Sequence, residues 1–197
     1  MQRTPTIAVL VSSFERPRHL IRTLHSIAAQ RNVEGMFEVV VTDDGSEDET
    51  HDLVREFAAS VPFRVELTTH PHETYQLARC RNEGVRASSA PYLLFLDGDC
   101  LIPPDHLEHH LRQRREGVVF AGYCVLLDEQ TTSHLDVPAI RSGDFLQHAS
   151  KAELKKLARM DRKSRFYELI RHPTKPKLFG GNVGIHRSDY ESINGYD

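Results

Sequence analysis

Short, almost wholly apolar runs recur along the first half of the chain, each followed by polar residues and then a helical period. Ile7-Ala8-Val9-Leu10-Val11 is the first, Phe37 to Thr42 and Tyr92-Leu93-Leu94-Phe95-Leu96 follow, and between these two Phe63 to Thr68 alternates as a further strand. A strand with no polar alternation is one covered on both faces. Strands separated by helices of roughly ten to fifteen residues indicate βαβ units. The pattern predicts an α/β fold with a mixed, mostly parallel sheet flanked by helices. Behind Pro17, which suits a helix N1 position, Leu20, Leu24, Ile27 and Ala28 fall at helical spacing. Ser46 to Glu49 matches a capping box for a helix carrying Leu53, Val54 and Phe57. A further helix is predicted over 76–88, and Pro103-Pro104-Asp105 opens another.

Beyond that the signal weakens. Val118 to Leu127 predicts one or two strands, Lys151 to Arg171 one or two basic helices, and Val183 to His186 a short strand. Ser188 is placed to cap a last turn ending at Gly195. The 197 residues suit one globular unit, and 39% apolar with 27% charged residues excludes a disordered chain. A net charge of −3 gives no reason to expect a nucleic-acid partner. The charge is uneven, however. Lys151 to Lys177 holds ten Lys/Arg against three Asp/Glu, leaving fifteen basic and twenty-five acidic residues elsewhere. Three cysteines, Cys80, Cys100 and Cys124, form no C-x-x-C pair, which points away from a disulfide framework and toward a reducing compartment. No run approaches the ~20 apolar residues of a membrane span, and a cytoplasmic location is expected.

Ligands of open parallel sheets bind beyond the carboxyl ends of the strands, so the residues following each run carry the information. They are Ser12-Ser13-Phe14-Glu15-Arg16, Asp43-Asp44-Gly45-Ser46 and Asp97-Gly98-Asp99-Cys100. Two carboxylates facing one small volume repel, and a hard divalent cation such as Mg²⁺ or Mn²⁺ removes that cost. Asp97 and Asp99 thus suggest a metal–diphosphate site, the alternative being a solvated Asp-Gly turn. A carboxylate of Asp43-Asp44-Gly45-Ser46 can accept from a base N–H or a ribose hydroxyl, the alternative being a turn whose Ser46 caps a helix. Arg81, in Arg81-Asn82-Glu83-Gly84, offers a planar fork of donors suited to phosphate.

These segments, together with Gly180-Gly181-Asn182 and the closing Ile193-Asn194-Gly195-Tyr196-Asp197, resemble the family 2 glycosyltransferases of GT-A fold. The resemblance implies transfer of a sugar from a nucleotide diphosphate donor to a saccharide or lipid-linked acceptor, with inversion and with Mn²⁺ or Mg²⁺. It implies that Asp44 recognises the base, that Ser12, Phe14 and Glu15 line the nucleoside pocket, and that Arg81 lies near the nucleotide. Asp97 and Asp99 would hold the metal, Asp99 the more directly. Gly180, Gly181 and Asn182 would border the donor sugar and acceptor. Residues 1–127 would form the nucleotide-sugar-binding α/β part, and 128–197 a basic helical insertion with part of the acceptor side. The chain departs from the family by reading Ser-Phe-Glu-Arg where relatives read Thr-Tyr-Asn-Arg. The acidic segment that supplies the general base is expected beyond Asp197, which would make these residues a truncated form.

Two other functions compete. A sugar nucleotidyltransferase would carry a Gly-rich loop after its first strand, and Ser12 to Arg16 contains no glycine. A catalytically silent sugar-nucleotide-binding module would bind donor without releasing nucleoside diphosphate. The basic stretch over 151–177 is read as a solvated helical insertion, with peripheral contact to anionic lipid at the inner face of a membrane as its rival. His106, His109 and His110 share one predicted helix and are assigned no metal.

Overall fold

The computed structural model of the protein describes residues 4–170 and 180–197. Four strands, β1 (Ile7–Ser13), β2 (Phe37–Asp43), β3 (Val65–Thr69) and β4 (Tyr92–Asp97), run parallel in the order β3-β2-β1-β4. Two more extend the sheet past β4. β6 (Asn182–His186) pairs antiparallel with β4, and the two-residue β5 (Phe120–Ala121) pairs antiparallel with β6. Residues far along the chain therefore complete the same sheet that its first half builds.

The unbroken apolar runs are explained by this position. Ile7, Val9 and Val11 of β1 and Tyr92, Leu94 and Leu96 of β4 pack on one face with Leu20, Leu24 and Ile27 of helix α1 (Pro17–Ala28) and Val54 and Phe57 of α2 (Thr50–Ser60). Ala8, Leu10, Leu93 and Phe95 pack on the other with Val85 of α3 (Leu77–Ala87) and Ile185 of β6. Fully burying each such aliphatic side chain contributes about 1.5–3 kcal/mol. Inside this core Glu38 of β2 is 1% exposed. Burial acts to raise its carboxyl, but hydrogen bonds from the Ser89 and Ala90 N–H groups, Arg64 and the Ser89 hydroxyl outweigh it and hold Glu38 below the usual carboxylate range.

Helix α4 (His106–Gln113) follows the end of β4. Short helices α5 (Glu129–His134) and α6 (Val137–Ser142) are each capped by a preceding aspartate, Asp128 accepting from Thr131 N and Asp136 from Ala139 N. A 3-10 turn over Asp144–His148, helix α7 (Lys151–Leu169) and α8 (Arg187–Ser192) make up the rest.

Several predicted details change. Helix α2 begins at Thr50 behind Glu49 with no side-chain cap from Ser46, whose hydroxyl donates to Asp43 and accepts from Glu15 N instead. Strand β3 starts at Val65 rather than Phe63, which turns into the core against Phe37 and Phe57. Of 118–127 only Phe120–Ala121 is strand. Ser188 lies inside α8, whose N-cap is His186. The basic stretch forms one helix, α7, and its residues from Arg171 on lie outside the described part.

Candidate active site

The strand order turns back between β1 and β4, and beyond the carboxyl ends of these strands lies a cavity of about 320 Å³. It is lined by Ser12 and Ser13 at the end of β1 with Phe14 and Arg16 beyond it, by Asp44 after β2, and by Asp97 at the end of β4 with Gly98 and Asp99 beyond it. Tyr75, Leu77 and Cys80, at the entry to α3, form the remaining wall.

The Asp-Gly-Asp turn is held from three sides. Gly98 N donates to Ser12 O (2.8 Å), the buried Thr23 hydroxyl of α1 donates to Gly98 O (3.0 Å), and Asp97 N donates to Gly181 O (3.3 Å). A Cβ on Gly98 would stand 2.8 Å from Ser12 O, so the turn can lie this close to β1 only with glycine there. The two carboxylates are each answered by an arginine: Arg81 Nη2 lies 3.3 Å from Asp97 Oδ1, and Arg16 Nη1 lies 3.0 Å from Asp99 Oδ2. Burial nevertheless pushes the Asp97 carboxyl above the usual range; Arg81 opposes the rise and the Asp99 charge adds to it.

At the end of β2 the two aspartates differ in task. Asp43 is wholly buried and structural. Its carboxylate accepts from the Gly45 and Ser46 N–H groups, the Ser46 and Thr69 hydroxyls and His51. Burial acts to raise Asp43, and these bonds outweigh it. Gly45 turns the chain at φ +80°, and a Cβ there would lie 2.6 Å from His70 O. Asp44 faces the cavity instead. His70 Nε2 lies 2.9 Å from its Oδ1, Gln76 N donates to its Oδ2 (3.2 Å), and His70 Nδ1 lies 2.8 Å from Glu83 Oε2. Arg79 of α3 in turn donates to Glu83 (3.0 Å), so a chain of hydrogen bonds ends at Asp44. Phe14 stacks on His72 with ring centroids 4.2 Å apart and planes 15° from parallel. The Ser13 hydroxyl is buried, lines the cavity and has no hydrogen-bond partner among the described residues.

Not every predicted residue reaches the cavity. Glu15 lies outside its lining, in the left-handed region at φ +47°, its N–H held by Ser46. Arg81 is buried behind the turn, donating to Gly180 O (2.8 Å) and lying over the Tyr196 ring at 4.8 Å. Gly181 packs on Asp97, and Asn182 Oδ1 is 3.2 Å from His106 Nε2. His110 bonds the buried Tyr92 hydroxyl (3.1 Å), whereas His109 of the same helix is exposed. Ligand atoms of Asp44, His70 and Cys80 also fall within 4.8 Å of one another. His70 and Asp44 are bound to each other, and burial pushes the Cys80 thiol up to about 12. All three cysteines are free, and Cys100 and Cys124 stand with their sulfurs 3.8 Å apart.

Residues 8–188 match the family model for glycosyl transferase family 2. The chain belongs to this family. It is 38% identical over 104 residues to a validoxylamine A glucosyltransferase of Streptomyces hygroscopicus subsp. limoneus, covering 53% of this chain and 22% of that protein. Against the hyaluronan synthase of Pasteurella multocida it is 26% identical over 152 residues, 75% of this chain and 14% of the synthase. The chain thus spans a minor part of the length of these relatives. Among solved structures, the mannosyltransferase PcManGT of Pyrobaculum calidifontis, in complex with GDP-Man and Mn²⁺, superposes with a TM-score of 0.66 at 18% identity. That match covers 99% of this chain and 48% of that one. At this identity the likeness shows the fold, which is GT-A.

In this family 2 chain the donor set beside the cavity fits a hard divalent cation. Asp97 and Asp99 offer carboxylate oxygens on one turn, with side chains 42% exposed, so coordination positions remain for water and phosphate. Sequence reasoning missed Arg16, although it stands inside the first motif, and it missed His70 and His72. Those two meet Asp44 across 26 and 28 residues, and no local pattern announces such a contact.

Proposed function

We propose that this chain carries the donor half of a sugar transfer: it binds a nucleotide diphosphate sugar at the ends of β1, β2 and β4, and the sugar passes with inversion to a saccharide or lipid-linked hydroxyl. One observation carries the reading. A buried hydroxyl without a partner among the described residues, a stacked aromatic, a rigidly held carboxylate and a carboxylate pair surround a single cavity at the switch point of the sheet.

Each group then has a task. Asp44 accepts from an N–H of the base, and the Phe14–His72 stack forms the apolar wall beside it. The Ser13 hydroxyl bonds the ribose or diphosphate. Asp97 and Asp99 hold Mn²⁺ or Mg²⁺, which when bound supplies positive charge against the leaving diphosphate. The Arg16–Asp99 pair is exposed and contributes little by itself, about 0–1 kcal/mol. Arg16 is therefore free to turn from Asp99 to a phosphate oxygen. Arg81, anchored by Gly180 O, opposes the rise that burial imposes on the Asp97 carboxyl. Residues 1–127 supply the nucleotide side, and 128–197, β6 among them, a basic helical insertion and part of the acceptor side.

Incubation with UDP-, GDP- and dTDP-sugars in Mn²⁺ tests this through release of nucleoside diphosphate. Release from one donor class, lost on chelation, is expected. Binding without release would favour the silent module, and no binding to any donor would refute the reading.

A further inference from the structure

Three cysteines allow three pairings, and their spacing selects none of them. The fold does select one. Cys80 is 1% exposed in the core, whereas Cys100 is half-buried and Cys124 exposed. The sulfurs of Cys100 and Cys124 lie 3.8 Å apart across a separation of 24 residues. A disulfide bond of about 2.05 Å therefore requires a closure of about 1.75 Å.

One partner is fixed and the other can yield. Cys100 N donates to Asp97 O (3.0 Å) in the clamped turn, so its backbone is set by β4. Cys124 sits in the irregular chain between β5 and α5. The bond from Gly122 N to Asn182 O (2.8 Å) ties that chain to the sheet just before Cys124. The approach can come from Cys124 without disturbing the turn.

We propose that Cys100 and Cys124 form a reversible intramolecular disulfide, with a small-molecule disulfide such as oxidised glutathione as oxidant. Cys124, the more exposed, attacks the glutathione disulfide as thiolate; a protein–glutathione bond forms and one glutathione leaves. The Cys100 thiolate then attacks the Cys124 sulfur, forming the internal bond and releasing the second glutathione. In sum the two protein thiols lose two electrons and two protons, and the oxidant is reduced to two glutathione molecules. The bond ties the turn bearing Asp97 and Asp99 to the 122–127 segment. By closing this loop in the unfolded chain it raises the melting temperature. None of this depends on the donor reading.

The native chain is treated with oxidised glutathione, its remaining thiols are blocked, and peptides are mapped without reduction. The expected result is a Cys100–Cys124 cross-linked peptide, with Cys80 blocked only after unfolding. A rise in melting temperature that dithiothreitol reverses should accompany it. Cys100→Ser and Cys124→Ser should melt like the reduced parent, gain only a glutathione adduct and show no such rise. Persistent adducts on the parent without a cross-link would overturn the proposal, as would cross-links between molecules or pairing through Cys80. A cross-link that lowers the melting temperature would show that the bond forms from a distorted chain, and would overturn it equally.

Discussion

Asp44 has its carboxylate fixed from the protein side, by His70 at one oxygen and by Gln76 N at the other. Replacing His70 leaves a buried carboxylate short of a donor, a loss of about 1–3 kcal/mol for a group of this kind. His70→Ala should therefore weaken binding of the nucleoside diphosphate by roughly 5- to 100-fold. It should raise KM while leaving kcat within about threefold, because the interaction is made equally in ground and transition states. Calorimetry and steady-state kinetics check this, and His70→Gln, which keeps one donor, should recover part of the affinity. Asp99→Asn removes a charge beside the leaving diphosphate. It should lower Mn²⁺-supported turnover by roughly 10²-fold or more, the scale seen when one electrostatic stabiliser is removed. The aspartates were legible because each follows a buried strand directly. His70 was not, because its role exists only once β2 and the segment before α3 are brought together.

At the scale of elements, α1 does more than cover the sheet. Its Thr23 hydroxyl reaches Gly98 O and so fixes the turn that presents Asp97 and Asp99. Thr23→Val keeps the shape and removes the donor, orphaning a buried carbonyl. It should cost about 1–3 kcal/mol of stability and weaken Mn²⁺ binding, measured by thermal melting and by metal titration; unchanged metal affinity would remove α1 from the site. The parallel strands were readable because burial on both faces leaves β1 and β4 without polar alternation. The capping box failed because Ser46 is more strongly engaged by Asp43 and Glu15 N than by a helix end. Strand β5 was overextended because Val118, Val119 and Tyr123 look like strand residues, yet the ladder with β6 covers Phe120 and Ala121, with Gly122 N adding one bond to Asn182 O. Helix α7 packs Leu157 and Met160 beside Tyr123 and Val125 and leaves Leu154, Phe166 and Leu169 exposed among its lysines and arginines. No helix of the described residues is long and apolar enough to cross a membrane.

For the molecule as a whole, the core sets a pH limit. His110 is held neutral: burial, with His106 and His109 adding to it, lowers it from 6.5 to about 3. The unfolded chain therefore binds this proton more readily than the native one. Stability present above pH 6.5 is lost as pH falls through the window down to about 3. The melting temperature should drop between about pH 7 and about pH 5, where ordinary carboxylates are still ionised. His110→Gln should flatten that drop, and an unchanged slope would show that His110 does not set it. Glu38 and Asp43, held below the usual carboxylate range, add their own losses at still lower pH. The sheet that buries these groups also brings the ends of β1, β2 and β4 to one cavity, and the central claim is that this cavity grips a nucleoside diphosphate through a cation on Asp97 and Asp99. Calorimetric titration of UDP and GDP into the protein, with and without Mn²⁺, tests it most directly. The account predicts binding of one of them that strengthens with Mn²⁺, with the gain lost in Asp97→Asn/Asp99→Asn. Binding indifferent to both the cation and the double substitution would contradict it.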